Sequence, residues 1–469
     1  MALSDARIRQ ITDDAIREVN GTITTPGVAS ASEWLCDDAN EAVENAKQSQ
    51  KQLAGMPLEH RGRIVSAMRE AAIKNAEVLA ELAHNETGYG NVPHKTLKNR
   101  LAAAKTPGIE DLHTTAYSGD DGLTIVECAP YGVIGSITPS TNPTATVINN
   151  SISMIAAGNS VVYNPHPVAK KASTETMRIL NDAIVAAGGP SALITTVKNP
   201  TLQSGSTIMG HKDIKLLSIT GGEAVVSVAM KSGKKVIAAG PGNPPVIVDD
   251  TAVIPQAARD IVDGASFDNN VLCIAEKEIF AFENIAGELV SLMQQSGAYK
   301  VTGSDIDKII NTVLEKSDGK YVINRNFVGR SAIHILQQSG VSYIGAPNLV
   351  IAEVDKYHPF VVVEMLMPVL PVVRVRSIEE AIEESLRAEQ GYQHSAYIHS
   401  TNIKNMSAAA SALNTTIFVK NAPSYSGLGF GGEGFTTLTI ATPTGEGLTS
   451  AKSFTRSRRC VLKGDLRIV

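Results

Sequence analysis

The chain predicts an α/β fold built on parallel sheets, and three observations carry that expectation. Short apolar runs alternate with amphipathic stretches from about Leu123 onward, the rhythm of strand–helix–strand units. Glycine is abundant, with 38 residues, while aromatics make up only 4%, which suits an α/β enzyme better than an all-β binding module. A length of 469 residues with 43% hydrophobic content suffices for a large core split into two or three units.

The elements follow in order. Residues 4–19 put Ile8, Ile11, Ala15 and Val19 on one helical face, with Arg7, Arg9, Asp13, Asp14, Arg17 and Glu18 elsewhere. Ser4 suits the N-cap. Residues 21–32, rich in Gly, Thr, Ser and Ala, read as a linker. Helical patterns cover 38–54 and 57–84. Residues 132–138 form an apolar strand, 149–157 a helix, 160–163 a strand, 171–187 a helix and 193–197 a strand. Further strands are expected at 216–219, 235–238 and 245–248. Such a sheet binds ligands at the carboxyl ends of its strands. Asp249 and Asp250 mark a boundary, beyond which a second α/β region runs to about Val419. Residues 436–440 and 459–462 read as strands that close a sheet or a subunit contact.

Composition also excludes. A net charge of -5 leaves no basic footprint, so nucleic acid is not an expected partner. Cys36, Cys128, Cys273 and Cys460 lie far apart with no CxxC, as free thiols of a reducing cytoplasm do. There is no HExxH, and His394 and His399 lack a third ligand nearby, so no metal is expected. No apolar run is long enough to span a bilayer and no signal peptide opens the sequence.

Cys273 stands between an amphipathic stretch that begins near Ala257 and the strand-like run 278–282. A thiol at such a junction can face a cleft, where its thiolate would attack a carbonyl carbon. A buried inert cysteine is the competing reading, and the rest of the sequence decides between them. Residues 132–143, with Thr138, Pro139 and Asn142, resemble the strand and loop that deliver the oxyanion-hole asparagine of aldehyde dehydrogenases. Residues 156–165 resemble the next cofactor strand of that superfamily. Thr220-Gly221-Gly222 sits where it carries a glycine turn beside the cofactor phosphates. Residues 364–371 resemble the motif whose Glu holds the nicotinamide ribose. The resemblance runs from about residue 35 to the end. It implies a Rossmann-type cofactor domain (33–112 and 128–245), an α/β catalytic domain (246–430) and a small β oligomerisation element (113–127 and 431–469).

The departures narrow it further. Ordinary members carry a catalytic Glu before a Gly-Gly-Lys-Asn-Pro-like run. Here the run is Ala238-Ala239-Gly240-Pro241-Gly242-Asn243-Pro244, with Ala238 in the Glu position. An alanine cannot activate water, so a thioacyl enzyme needs a better nucleophile, such as the thiol of coenzyme A. Asn164 replaces the lysine expected after the Val-Val strand, and Pro167 stands where an acidic residue often contacts the adenosine ribose. Residues 137–143, 242–250, 266–270 and 453–462 are similar to the coenzyme A-acylating acetaldehyde, propionaldehyde and butyraldehyde branch.

That resemblance implies Cys273 as nucleophile and Asn142 as oxyanion donor. It implies a cofactor site at Thr138, Pro139, Asn164, His166, Thr220, Gly221, Gly222, Gly240 and Glu364. His166 reads equally well as a plain loop histidine. Glu276 and Glu278 beside Lys277 read as a solvated charged turn. NAD, or NADP, would accept the hydride, coenzyme A the acyl group, and a short aliphatic aldehyde would be the substrate. Dimers or tetramers would close through the C-terminal strands. Some members of this branch are microcompartment cargo with an N-terminal amphipathic helix, which residues 1–20 resemble, so a shell protein is an expected partner. The location is then the cytoplasm or a microcompartment within it. A surface or oligomer helix is the other reading of residues 1–20. Rival functions are a hydrolytic aldehyde dehydrogenase, disfavoured by Ala238, and a thiolase-like acyltransferase, whose second Cys and His motif is missing.

Overall fold

The computed structural model describes residues 31–467, so the expected helix at 1–20 and nearly all of the linker lie outside the described residues. Two parallel sheets and one antiparallel sheet organise the rest.

The first sheet has six parallel strands in the order Leu35–Cys36, Ile194–Val197, Ser160–Pro165, Val133–Thr138, Ile214–Thr220 and Lys235–Ala239. Their near-continuous burial is what helix cover on both faces demands. The helix Ala39–Ala54 starts where Asp38 accepts the backbone N–H groups of Asn40 and Glu41. The pattern at 57–84 resolves into two helices, Leu58–Lys74 and Ala76–Thr87. The break is Asn75, whose side chain donates to the carbonyl of Ala71 at 2.8 Å.

The helix Pro143–Ala156 is buried along its whole length. It begins six residues before the periodicity at 149–157 announces it, because Pro143 opens its first turn after Asn142. Thr144, Ala145 and Thr146 give no amphipathic signal, since every face there is covered.

The second sheet has seven parallel strands in the order Ala298–Val301, Leu349–Glu353, Val369–Val375, Glu278–Phe282, Pro245–Val248, Ser395–His399 and Ile417–Lys420. The strand Val133–Thr138 of the first sheet ends toward Asn142, whereas Cys273 precedes Glu278–Phe282 and so lies at the starting ends of the second sheet's central strands.

The third sheet is antiparallel. Gly122–Pro130 is flanked by Thr115–Gly119 and by Thr455–Lys463, and its outer strand leaves Val461 61% exposed. The stretch 436–440 differs from its expectation. Only Ile440–Ala441 pairs as a strand, with Gly447–Leu448. The backbone N–H of Leu438 donates instead to Asn149 Oδ1 at 2.9 Å, and Thr439 donates to Asn150 Oδ1 at 2.9 Å. These threonines bind the buried helix rather than a ladder.

Candidate active site

The helix Ile254–Ser266 delivers the nucleophile segment and then stops abruptly. Asp268, Asn269 and Asn270 all adopt left-handed backbone, with φ of 49°, 53° and 63°. Asp and Asn tolerate this region better than other side chains, but three in succession need external restraint. Asn269 Nδ2 donates to the carbonyls of Gly90 and Gly329 at 3.1 and 2.9 Å. Asn270 Nδ2 donates to Ala265 and Glu276 carbonyls at 2.8 and 3.0 Å. Asp268 accepts the backbone N–H of Asn91 at 2.9 Å and the ammonium of Lys95 at 3.2 Å. Gly90 has to be glycine. Its φ is +64°, and a Cβ there would lie 1.9 Å from Asp268 Oδ1.

Cys273 leaves this turn partly accessible. Enclosure pushes its thiol up to about 12, and the carboxylate of Glu364 adds to the rise. The charge of Lys277 and the backbone N–H groups of Cys273 and Ile274 oppose it.

Asn142 is buried at the head of Pro143–Ala156. Its Oδ1 accepts a hydrogen bond from Lys98 Nζ. Lys98 also donates to Asp268 Oδ2, and its charge couples to Cys273. Burial depresses Lys98 to about 8.

Behind the thiol, Glu276, Lys277 and Glu278 are 1%, 1% and 0% exposed, so the expected solvated charged turn is not there. Strand alternation would expose every other residue, but Glu278–Phe282 is a central strand covered on both faces. Lys277 Nζ donates to the carbonyls of Asn270 and Leu272 and to Asn270 Oδ1. Glu276 Oε1 accepts the N–H of Ser424 at 2.8 Å, while burial raises its carboxyl to about 7. Burial raises Glu278 well above the usual carboxylate range. Glu364 is half-buried, raised to about 6 by burial, and accepts the backbone N–H of Gly242. Gly242 lies against both Cys273 and His394, since a Cβ on it would sit 3.1 Å from the Cys273 carbonyl and 2.9 Å from the His394 ring. His394 is buried, held neutral down to about 4 by burial, and its Nε2 has no partner among the described residues.

The other expected site residues end neighbouring strands of the first sheet. Thr138 pairs with Pro165, and the Thr138 carbonyl accepts the N–H of His166 at 3.1 Å. Thr138 Oγ1 is buried without a partner among the described residues. Pro139 follows in the loop. Asn164 is engaged by the fold, accepting from Ser204 Oγ at 2.6 Å and donating to the Thr201 carbonyl at 3.3 Å. His166 is exposed, with its Nδ1 accepting the Val168 N–H at 3.2 Å. Thr220 pairs with Ala239. Gly222 caps the helix Glu223–Met230, and a Cβ on it would meet nothing within 4 Å. An open glycine at a helix N-terminus and an unpaired hydroxyl at the strand ends fit a dinucleotide pyrophosphate. Gly240, by contrast, packs against Pro443, 2.9 Å from the position of an added Cβ.

The methyl of Ala238 lies in the core with Val236, Ile219 and Leu217. Alternation turns Ala239 to the opposite face, that of Ile237, which packs with the helix headed by Asn142. Neither residue can take a proton, so the strand end carries no general base.

Lys98, Asp268, Lys277 and His394 complete the site and went unassigned in the sequence. The run 266–270 was the available signal, being a polar turn at fixed distance from Cys273.

The aldehyde dehydrogenase family profile matches residues 12–439. The acetylating acetaldehyde dehydrogenase EutE of Salmonella typhimurium is 50% identical over 436 residues, 92% of each chain. The CoA-propanoylating propanal dehydrogenase of the same organism is 47% identical over 95% of this chain and 96% of its own. A crystal structure of Rhodopseudomonas palustris propionaldehyde dehydrogenase with bound CoA and an acylated cysteine superposes with a TM-score of 0.91 at 46% identity, covering 93% of this chain and 100% of that one. A propionaldehyde dehydrogenase from the Clostridium phytofermentans fucose utilisation microcompartment gives 0.91 at 48%, covering 93% and 99%. With the fold, the cysteine turn and these matches together, the chain belongs to the aldehyde dehydrogenase family.

Proposed function

We propose that the protein oxidises a short aliphatic aldehyde to its acyl-CoA, reversibly, through a thioester on Cys273. The observation that carries this is the pairing of an accessible Cys273 with a strand end, Ala238-Ala239, that has no base to activate water. The acylated cysteine and bound CoA of the Rhodopseudomonas palustris structure support it.

Cys273 attacks the aldehyde carbonyl as the thiolate and forms a thiohemiacetal. Its oxyanion is met by Nδ2 of Asn142 and the backbone N–H of Cys273, and one such donor is typically worth about 2.7–4 kcal/mol of transition-state stabilisation. NAD, when bound, supplies the hydride acceptor. Thr138, Gly221 and Gly222 would hold its phosphates and Glu364 its nicotinamide ribose, with NADP as the other acceptor. Loss of hydride leaves the Cys273 thioester. The thiol of coenzyme A then attacks that carbonyl, releasing acyl-CoA and the Cys273 thiolate. Neutral His394, whose ring lies against Gly242 and whose Nε2 has no partner among the described residues, would take the proton of the incoming thiol.

Purified enzyme with NAD and acetaldehyde or propanal tests this by absorbance of NADH. Steady turnover should require coenzyme A, and Cys273→Ala should abolish it while NAD still binds. Equal steady rates with and without coenzyme A would sink the acyl-transfer reading.

We further infer, from the stripe Ile8, Ile11, Ala15 and Val19 and a relative from a microcompartment, that residues 1–20 dock on a shell protein. The antiparallel third sheet with its exposed outer strand would close a homodimer or tetramer. Deleting residues 1–20 should spare catalysis and assembly but abolish encapsulation in shell-producing cells; a broken oligomer would reassign the segment to assembly.

A further inference from the structure

One buried ammonium ties together two parts of the site that come from distant segments. Lys98 lies on the helix Val92–Lys105 with its side chain 5% exposed. It donates to Oδ1 of Asn142 and to Oδ2 of Asp268. An ammonium has donors only, so the amide of Asn142 must turn its oxygen to Lys98 and its Nδ2 away. The one contact of that Nδ2 among the described residues is Thr141 Oγ1, at a long 3.4 Å.

The other end of the bridge is Asp268, the first residue of the left-handed turn before Cys273. Asp268 is fully buried and faces Lys98, Lys95 and the N–H of Asn91, while its own N–H donates to His94 Nδ1 at 2.8 Å. Two lysines against one carboxylate leave a positive charge in excess, beside the place where charge builds on substrate oxygen.

We propose that Lys98 is a positioning residue: it fixes the Asn142 amide with Nδ2 toward the reacting carbonyl and locks that amide to the strained turn carrying Cys273. This rests on the reading of Asn142 as oxyanion donor. The competing role is a plain structural ion pair with Asp268, worthwhile only to the fold.

A double-mutant cycle in the full-length enzyme separates the two. The readout is kcat for CoA-dependent aldehyde oxidation in wild type, Asn142→Ala, Lys98→Met and the double variant. Each single change should lower kcat on the order of 10²–10³-fold. The double variant should fall within about threefold of the worse single one, because both remove the same interaction. KM for NAD should hold. Lys98→Gln, which keeps an N–H donor, should recover about tenfold or more over Lys98→Met. Full additivity, or no recovery with Gln, overturns the role of Lys98. An Asn142→Ala enzyme that keeps its rate overturns the oxyanion reading instead. Should Lys98→Met fail to fold, Asn142→Asp carries the test. It keeps an acceptor facing Lys98 and removes the amide donor, so its melting temperature should match or exceed wild type while kcat falls as far as in Asn142→Ala. A clear drop in melting temperature would overturn the inference.

Discussion

Lys277 Nζ reaches the carbonyl oxygen of Leu272 at 3.3 Å, one residue before Cys273. A charged side chain that is 1% exposed thus grips the backbone of the nucleophile segment from behind. Its charge is the main influence lowering a thiol that burial otherwise raises to about 12.

Replacing Lys277 with Met should therefore raise the thiol pKa and reduce the thiolate fraction at any fixed pH. Alkylation of Cys273 by iodoacetamide at pH 8 should slow by roughly tenfold or more. Lys277→Arg, which keeps the charge, should react close to wild type. Identical rates for the Met variant and wild type would show that the charge does not reach the sulfur.

The two alanines before Gly240 should respond in opposite ways to a carboxylate. Ala239→Glu, on the face of the helix headed by Asn142, should raise coenzyme A-independent acid release, with general-base help worth about 10²–10⁴-fold at best. Ala238→Glu would bury a charge among Val236, Ile219 and Leu217 and should yield unstable protein. Acid release by chromatography and thermal melting of both variants check this. A gain in hydrolysis at 238 and none at 239 would reverse the assignment of strand faces.

Glu276 should make stability fall with rising pH. Its folded carboxyl is raised to about 7 from a usual 4.5, so the folded state holds the proton more tightly than the unfolded chain. The contribution is complete below about 4.5 and is lost as pH rises through 7. Glu276→Gln cannot titrate. Its stability relative to wild type should therefore increase between pH 5 and 8, by about 3 kcal/mol at most. Urea unfolding at the two pH values measures the difference, and a constant offset would refute the buried carboxylate's role.

Glu364 should impose a pH step on nucleotide affinity. Burial raises it to about 6, so acidification through that value converts an anionic acceptor into a neutral acid. NAD should bind progressively more weakly below pH 6, as seen by calorimetry, and Glu364→Gln should flatten the profile. Persistence of the same step in the Gln variant would assign it to another group.

Most strands and helices were legible because periodicity is written locally, and Cys273, Asn142 and Glu364 are singled out in the sequence by short motifs. The rest depends on partners far away in sequence. Lys98 meets Asp268 across 170 residues, and nothing in Val92–Lys105 marks its lysines as buried, since alternating polar residues ordinarily mean a wet surface. Glu276-Lys277-Glu278 misled for the same reason. Three charged residues in a row look solvated until Ser424, Asn270 and the Leu272 carbonyl surround them. The face on which Ala238 packs, with Val236, Ile219 and Leu217, was likewise not legible, since in a strand one residue is the difference between two faces.

The antiparallel pairing of Gly122–Pro130 with Thr455–Lys463 has a consequence for how the chain comes into being. The inner strand emerges from the ribosome first, and its partner follows only after the long stretch between Pro130 and Thr455 has been made. At ordinary elongation speeds the wait is on the order of tens of seconds. Throughout it, one edge of Gly122–Pro130 offers unpaired backbone groups to any passing strand. Completion of this sheet therefore waits on the late strand, and a nascent chain released before Thr455–Lys463 is made carries a sticky edge that the paired sheet conceals.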